Sequence, residues 1–165
     1  MAILEICTIP APILKEIARP IETVSPDISE LIRDMLETMR HYTRCVGLAA
    51  PQVGKGIRLV VMDISVYPKP HPNHGQLILI NPVITGRAGS RAGREGCLSV
   101  PDFTANVTRA ETVTVSYQDA TGAKKIIDSQ GFEAVALQHE IDHLDGMLFL
   151  DRVTSIKTDV FRRKA

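Results

Sequence analysis

The chain is predicted to fold in the α+β class, with antiparallel sheets packed around a central helix. Three observations predict this. Residues 135–146, Val-Ala-Leu-Gln-His-Glu-Ile-Asp-His-Leu-Asp-Gly, carry helical apolar spacing near the C-terminus. A second helical pattern, headed by Ser25-Pro26, lies near the N-terminus. Between them, apolar runs are separated by Gly, Pro and Asn and read as strands joined by reversals, not by crossover helices.

Residues 1–24 read as irregular, broken by Pro10, Pro12 and Pro20. Ser25 is the predicted N-cap of a helix with Pro26 in its first turn. Ile28, Leu31, Ile32, Met35, Met39 and Tyr42 continue it to about His41 as a core-facing stripe. Cys45 to Gly54 is small, apolar and unpatterned, and it ends Pro51-Gln52-Val53-Gly54. It reads as a buried extended segment that lets another part of the chain come close. Strands follow over Ile57–Asp63 and Gln76–Ile84. The Pro-rich stretch Tyr67–Gly75 between them reads as a solvated loop, although His71 and His74 have ligand-like spacing. Gly86–Gly93 reads as a polar loop. Thr112–Gln118 and Ala123–Asp128 flank Asp119-Ala120-Thr121-Gly122 and predict a hairpin. The last helix runs from about Phe132 to Asp145, with Gly146 as its stop. The tail from Met147 holds one short apolar run and a solvated basic end.

The 165 residues are 44% hydrophobic, enough for one soluble domain spanning 1–165 with its own core. Nineteen basic residues balance nineteen acidic ones, which argues against direct nucleic-acid binding. No apolar run approaches the roughly 18 residues of a membrane span, and no signal peptide is evident. Three cysteines, Cys7, Cys45 and Cys97, are too few for a disulfide framework and point to a reducing, cytoplasmic setting.

The C-terminal helix carries chemistry. His139, Glu140 and His143 form His-Glu-x-x-His, which stacks two imidazoles on one helical face and places a carboxylate about 100° round from the first. Two such imidazoles can chelate one metal ion, with Glu140 as general base toward water. Ala134, Leu137, Ile141 and Leu144 make one apolar row; Ala136, His139 and His143 make another, so the helix is mostly buried. Buried imidazoles and a buried carboxylate need a partner, and a cation provides one. The competing readings are two surface histidines without a metal, and a closed structural zinc site. Cys97, in Glu95-Gly96-Cys97-Leu98-Ser99, is the best third ligand. One thiolate with two imidazoles suits Fe(II), Co(II), Ni(II) or Zn(II) better than Mg(II) or Ca(II). The fold class thus becomes antiparallel sheets around a metal-binding helix.

Taken together, Gly47-Leu48-Ala49-Ala50-Pro51-Gln52, Glu95-Gly96-Cys97-Leu98-Ser99 and Gln138-His139-Glu140-Ile141-Asp142-His143 resemble the three signature motifs of the peptide deformylases, in the family's order and at similar separations. The resemblance implies a hydrolase that removes the N-formyl group from the formyl-methionine of new polypeptides and releases formate. It implies Cys97, His139 and His143 as ligands of one divalent metal, Fe(II) in the cell, replaceable by Zn(II), Ni(II) or Co(II). Glu140 is the implied general acid/base. The Gln52 amide and the Leu98 backbone N–H are the implied oxyanion donors. The substrate would add as a strand beside Gly47, with its methionine side chain among Val46, Phe132, Val135, Ala136 and His139. Glu95, with Arg109, would orient a ligand histidine.

The implied partners are nascent formyl-Met polypeptides, met at the ribosome, and the implied state is a monomer in the cytoplasm. Two features depart from the family pattern. Cys45 stands where the first motif usually begins with glycine, which could narrow the entrance or leave an oxidisable thiol beside the metal. Asp102-Phe103-Thr104 lacks a basic residue found in many relatives, and the tail is shorter than the long C-terminal helix of some, which weakens docking through that element. The alternatives are a metallopeptidase, which would normally use His or Glu in place of Cys97, and a non-catalytic metal-stabilised interaction protein, which would need Glu140 idle and a fourth ligand such as Cys45.

Overall fold

A computed structural model describes residues 2–163. Five strands form one antiparallel sheet in the order β1-β2-β3-β6-β7: Gly47–Ala49, Leu59–Met62, Leu77–Ala88, Thr112–Gln118 and Lys124–Gln130. Three more, β4 (Arg91–Cys97), β5 (Val100–Arg109) and β8 (Val160–Arg162), form a second sheet in the order β4-β5-β8. The helices are α1 (Pro26–His41), α2 (Gly131–Leu144) and the single turn α3 (Ile156–Asp159). This is the α+β arrangement expected. Among the described residues, no helix is long and apolar enough to cross a membrane.

Strand alternation explains how the large sheet is covered on both faces. Leu59 and Val61 of β2, with Leu48 of β1 and Ile80 of β3, pack with Leu31, Ile32, Met35 and Met39 of α1. Val60 and Met62, with Ala49 and Leu79, face the other way and pack with Ala134, Leu137 and Ile141 of α2. β2 is therefore buried at every position, which its unbroken apolar run Leu-Val-Val-Met reflects. A third cluster joins Val100, Ala105 and Val107 of the small sheet to Leu14 and Phe149. The N-terminal segment ties the sheets together: Cys7 N–H donates to the Gln52 carbonyl at 2.7 Å and Ile9 N–H to the Ser99 carbonyl at 2.9 Å.

The helix ends follow the sequence rules. The Ser25 hydroxyl accepts from Ile28 N–H at 3.3 Å. Gly146 takes a left-handed conformation, φ 73°, just beyond α2.

Four expectations need correction. Gly86–Gly93 is not a loop: β3 continues to Ala88, β4 starts at Arg91, and only Gly89-Ser90 turn between them. These strand ends project beyond the core, so they alternate polar residues on both faces and lack the apolar signal of a strand. Residues 100–109, given no element from sequence, form β5. The tail is more than a solvated end. Val160–Arg162 adds to the edge of β5, with Phe161 opposite Thr104, and the Phe161 ring lies 3.7 Å from the Arg94 guanidinium carbon; Lys164 and Ala165 lie outside the described residues. The Tyr67–Gly75 loop, finally, is not merely solvated. The His74 ring Nδ1 lies 2.6 Å from Glu133 Oε1, and the His71 ring packs 5.0 Å from that of Phe132.

Candidate active site

Three chain segments meet at one site. The first is β1 and the 3-10 turn Ala50–Val53 that follows it. Pro51 stops the strand and the turn swings Gln52 inward. The Gln52 Oε1 accepts from Ala49 N–H at 3.0 Å, which fixes the amide. Its Nε2 then donates to Cys97 Sγ at 3.3 Å and to Ser99 Oγ at 3.2 Å.

The second segment is the β4–β5 hairpin. Cys97 pairs with Val100 across the two-residue turn Leu98-Ser99. Alternation along β4 turns Glu95 and Cys97 to the interior and leaves Arg94 and Gly96 outside.

The third is α2, which is buried from Ala136 to Leu144. Its His139 and His143 rings lie 5.2 Å apart, and His143 Nε2 is 3.4 Å from Cys97 Sγ. One donor atom from each of Cys97, His139 and His143 fits within 4.8 Å of the others. No fourth His, Cys, Asp or Glu joins that set among the described residues. Cys45 does not: its Sγ donates to the Gly47 carbonyl at 3.3 Å, and burial, with the Glu140 charge adding to it, pushes its thiol up to about 12. It lies outside the set of three donor atoms.

Glu140 is buried. A β-carbon at position 47 would stand 2.8 Å from its Oε2, so β1 passes directly over the carboxylate and a side chain there would displace it. Its Oε1 is buried and has no hydrogen-bond partner among the described residues. Burial pushes the Glu140 carboxyl up to about 7, and the cationic side of His139 only partly offsets that.

Behind the histidines stands a buried ion network. His139 Nδ1 lies 2.9 Å from Glu95 Oε1. Arg109 donates to both Glu95 oxygens, at 2.8 and 2.9 Å, and to Asp142 Oδ2 at 2.7 Å. Arg152 closes the other side of Asp142, at 2.8 Å to Oδ1. Burial alone would raise the Glu95 carboxyl, but hydrogen bonds from Arg109 and His139 overcome it and hold it at about 2. The pair Glu95 and Arg109 is thus interior, not a surface ion pair. Asp142, Arg152 and Phe149 had no role in the sequence reading. Phe149, stacked 6.1 Å from the His139 ring, is signalled only by the short apolar run after Gly146.

The residues read as a substrate wall are less concentrated. Phe132, Val135, Ala136 and His139 share one face of α2 by their i, i+3, i+4 and i+7 spacing. Val46, half-buried, packs with Phe132 against the α2 core, and its carbonyl accepts from Asp63 N–H at 2.8 Å. Val135 is half-buried and Ala136 buried.

These side chains fit a divalent cation. One sulfur and two imidazole nitrogens form a soft donor set. Glu95 occupies Nδ1 of His139 and leaves Nε2 free. Burial works against a proton on either ring, yet Glu140, Cys97 and Glu95 hold one on His139, while burial and the positive His139 strip it from His143. A cation site of this kind beside a buried carboxylate with a free oxygen has the make-up of a metal-dependent hydrolase.

The comparisons agree. A family model described as "Polypeptide deformylase" matches residues 3–159. A peptide deformylase of Syntrophobacter fumaroxidans is 44% identical over 99% of this chain and 94% of that protein. One of Alkalilimnicola ehrlichii is 46% identical over 99% of this chain and 89% of its own length. Among solved structures, a peptide deformylase from Legionella pneumophila superposes with a TM-score of 0.85 at 42% identity, covering 94% of this chain and 88% of that one. Another from Ehrlichia chaffeensis, in complex with actinonin, does so with a TM-score of 0.87 at 37% identity, covering 95% and 92%. The chain belongs to the polypeptide deformylase family. That family removes the N-formyl group from the N-terminal methionine of nascent peptides in a metal-dependent reaction.

Proposed function

We propose that the 165 residues act as a single catalytic domain in which Cys97, His139 and His143 hold one divalent metal and Glu140 moves the proton during deformylation of formyl-Met polypeptides. The observation that carries this reading is the approach of three soft donor atoms to within 4.8 Å beside a buried carboxylate whose Oε1 has no partner. The bound cation would supply a Lewis acid and a water acidic enough to react near neutral pH.

Each residue then has one task. Glu140 takes the proton from the attacking water and later delivers it to the departing amine, and a carboxyl held near 7 is suited to both transfers. Charge developing on the formyl oxygen is met by Gln52, whose Nε2 lies against Cys97 Sγ, and by the Leu98 N–H next to the ligand cysteine. Losing one such donor typically costs on the order of 10²–10³ in rate. Glu95, held by Arg109, keeps the His139 ring turned toward the metal. Val46, Gly47, Phe132, Val135 and Ala136 line the path of the peptide and its methionine side chain. Fe(II) is the proposed cellular metal, with Zn(II), Ni(II) or Co(II) as substitutes, since thiolate and imidazole suit all four. Nascent chains at the ribosome are the proposed partners, met by a cytoplasmic monomer.

The test is formate release from a formyl-Met peptide by anaerobically purified protein, with the metal counted. The expected result is about one divalent metal per chain with three protein ligands, release of formate by the wild type, and loss of release with metal retained in Glu140→Gln. Turnover in Glu140→Gln at the wild-type rate would remove Glu140 from its proposed role.

A further inference from the structure

We infer that the loop Tyr67–Gly75 forms the far wall of the substrate groove, with Tyr67 and His71 as specificity-determining residues and the His74–Glu133 pair as the latch that positions them. The inference rests on the deformylase reading for the identity of the peptide, and on the geometry of the loop for everything else.

Phe132 shares a helical face with His139, seven residues and therefore about 10 Å further along the axis of α2. The loop adds to that face. The Tyr67 ring centroid lies 4.8 Å from Phe132, that of His71 5.0 Å from it, and the two loop rings are 6.0 Å apart. The three rings tilt against one another at 39–44°. They extend the histidine face of the helix into an aromatic surface beyond the first substrate side chain.

A proline-rich loop without secondary structure would not hold such a cluster by packing alone. Here Glu133, only 1% exposed, holds it down. Its Oε2 accepts from the main-chain N–H of His74 at 2.6 Å, its Oε1 lies 2.6 Å from His74 Nδ1, and Ser129 Oγ donates to that same Oε1 at 2.7 Å. Asn73 stiffens the loop from within, donating to the His71 carbonyl at 2.9 Å and accepting from Gly75 N–H at 2.8 Å. The catalytic helix thus spends the residue next to Phe132 on fastening the loop to its own first turn. Ser129 serves Oε1 in any case, but the buried Oε2 has its donor only while the loop is in place, so the wall is preformed and does not wait for substrate.

His74 is 39% exposed at its side chain, so its replacement leaves the core intact. The experiment measures formate release from formyl-Met-Ala-Ser by the metal-loaded wild type, His74→Ala, His74→Asn and His71→Ala, together with hydrogen exchange over residues 67–75. His74→Ala is expected to raise KM about tenfold and to keep kcat within about twofold. Exchange in the loop should rise, and His74→Asn, which keeps a donor where Nδ1 stands, should restore both. His71→Ala should raise KM with exchange unchanged. If KM stays at the wild-type value in both alanine variants, or if kcat falls instead, the loop is not part of the substrate wall. Formate release by the wild type reads the deformylase assignment separately. Calorimetric binding of the product Met-Ala-Ser to the same four proteins reads the wall even where release fails.

Discussion

Gly47 and Glu140 occupy one another's space: a β-carbon on the glycine would meet Glu140 Oε2 at 2.8 Å and Cγ at 2.9 Å. The contact joins the segment proposed to receive substrate to the group proposed to move the proton. The backbone side of this contact is fixed, so the carboxylate is the part that must shift. Gly47 is locked opposite Met62 in the β1–β2 ladder, and Glu140 is enclosed in α2. Gly47→Ala is therefore expected to turn the carboxylate out of line and lower kcat for deformylation by about 10²-fold or more, the usual worth of a general base. Metal content should stay at the wild-type level. Steady-state kinetics with metal analysis checks this, and full activity in the alanine variant would show that Glu140 can move aside without loss.

Glu95 reaches the metal site only through His139, so its removal should appear as metal affinity before it appears as chemistry. Glu95→Ala leaves the His139 Nδ1 without its acceptor and the Arg109 guanidinium with Asp142 alone. Metal affinity is expected to fall about 10–100-fold, measured by competition with a chelator. Arg109→Ala should produce a similar loss and destabilise the fold as well, because it leaves Glu95 buried without its guanidinium and Asp142 with Arg152 alone.

The same network sets an acid limit on stability. Glu95 is held at about 2 in the folded protein, below the roughly 4.3 of a glutamate in an unfolded chain. A depressed folded value means that the carboxylate stabilises the fold above the unfolded value, and that this contribution disappears as pH falls through about 4 toward about 2. Urea unfolding of metal-free protein should lose stability over that window in the wild type and lose less in Glu95→Gln. Parallel curves for the two proteins would contradict the assignment.

Gly146 closes α2 against the N-terminal segment. Its φ is 73°, and a β-carbon there would lie 2.6 Å from the Lys15 carbonyl oxygen. Gly146→Ala combines a left-handed alanine with a backbone clash, and should destabilise the protein on the order of 1–3 kcal/mol. A lowered thermal midpoint in the metal-loaded protein checks it, and an unchanged midpoint would mean that the Lys15 segment yields freely.

The parts of this molecule most legible in the sequence are those in which local chemistry and burial agree. Ser25-Pro26, Gly146 and the β6–β7 hairpin were readable because caps and turns act on their own neighbours. The small sheet was not. Its inward positions on β4 carry Glu95 and Cys97, and its outward positions are Ala92, Arg94 and Gly96, so the strand shows no clear apolar alternation. β8 has three residues and is a strand only because β5 offers it an edge. The three motifs could be read as one site, but the network behind them could not be traced from sequence alone. Arg109 meets Asp142 across 33 positions, and the Asp142 side chain lies inside a motif whose known roles belong to its neighbours. His74 reads as solvated from the sequence because its partner, Glu133, stands 59 residues away.

The central claim is that one sulfur and two imidazole nitrogens hold a single cation with a place left open for water. X-ray absorption at the metal edge of the zinc-loaded protein tests it most directly. The predicted first shell is one sulfur at about 2.3 Å, two nitrogens at about 2.0–2.1 Å and one light atom from solvent. In Cys97→Ser the sulfur scattering should vanish. A shell with two sulfurs, or one from which sulfur is missing in the wild type, would contradict the account.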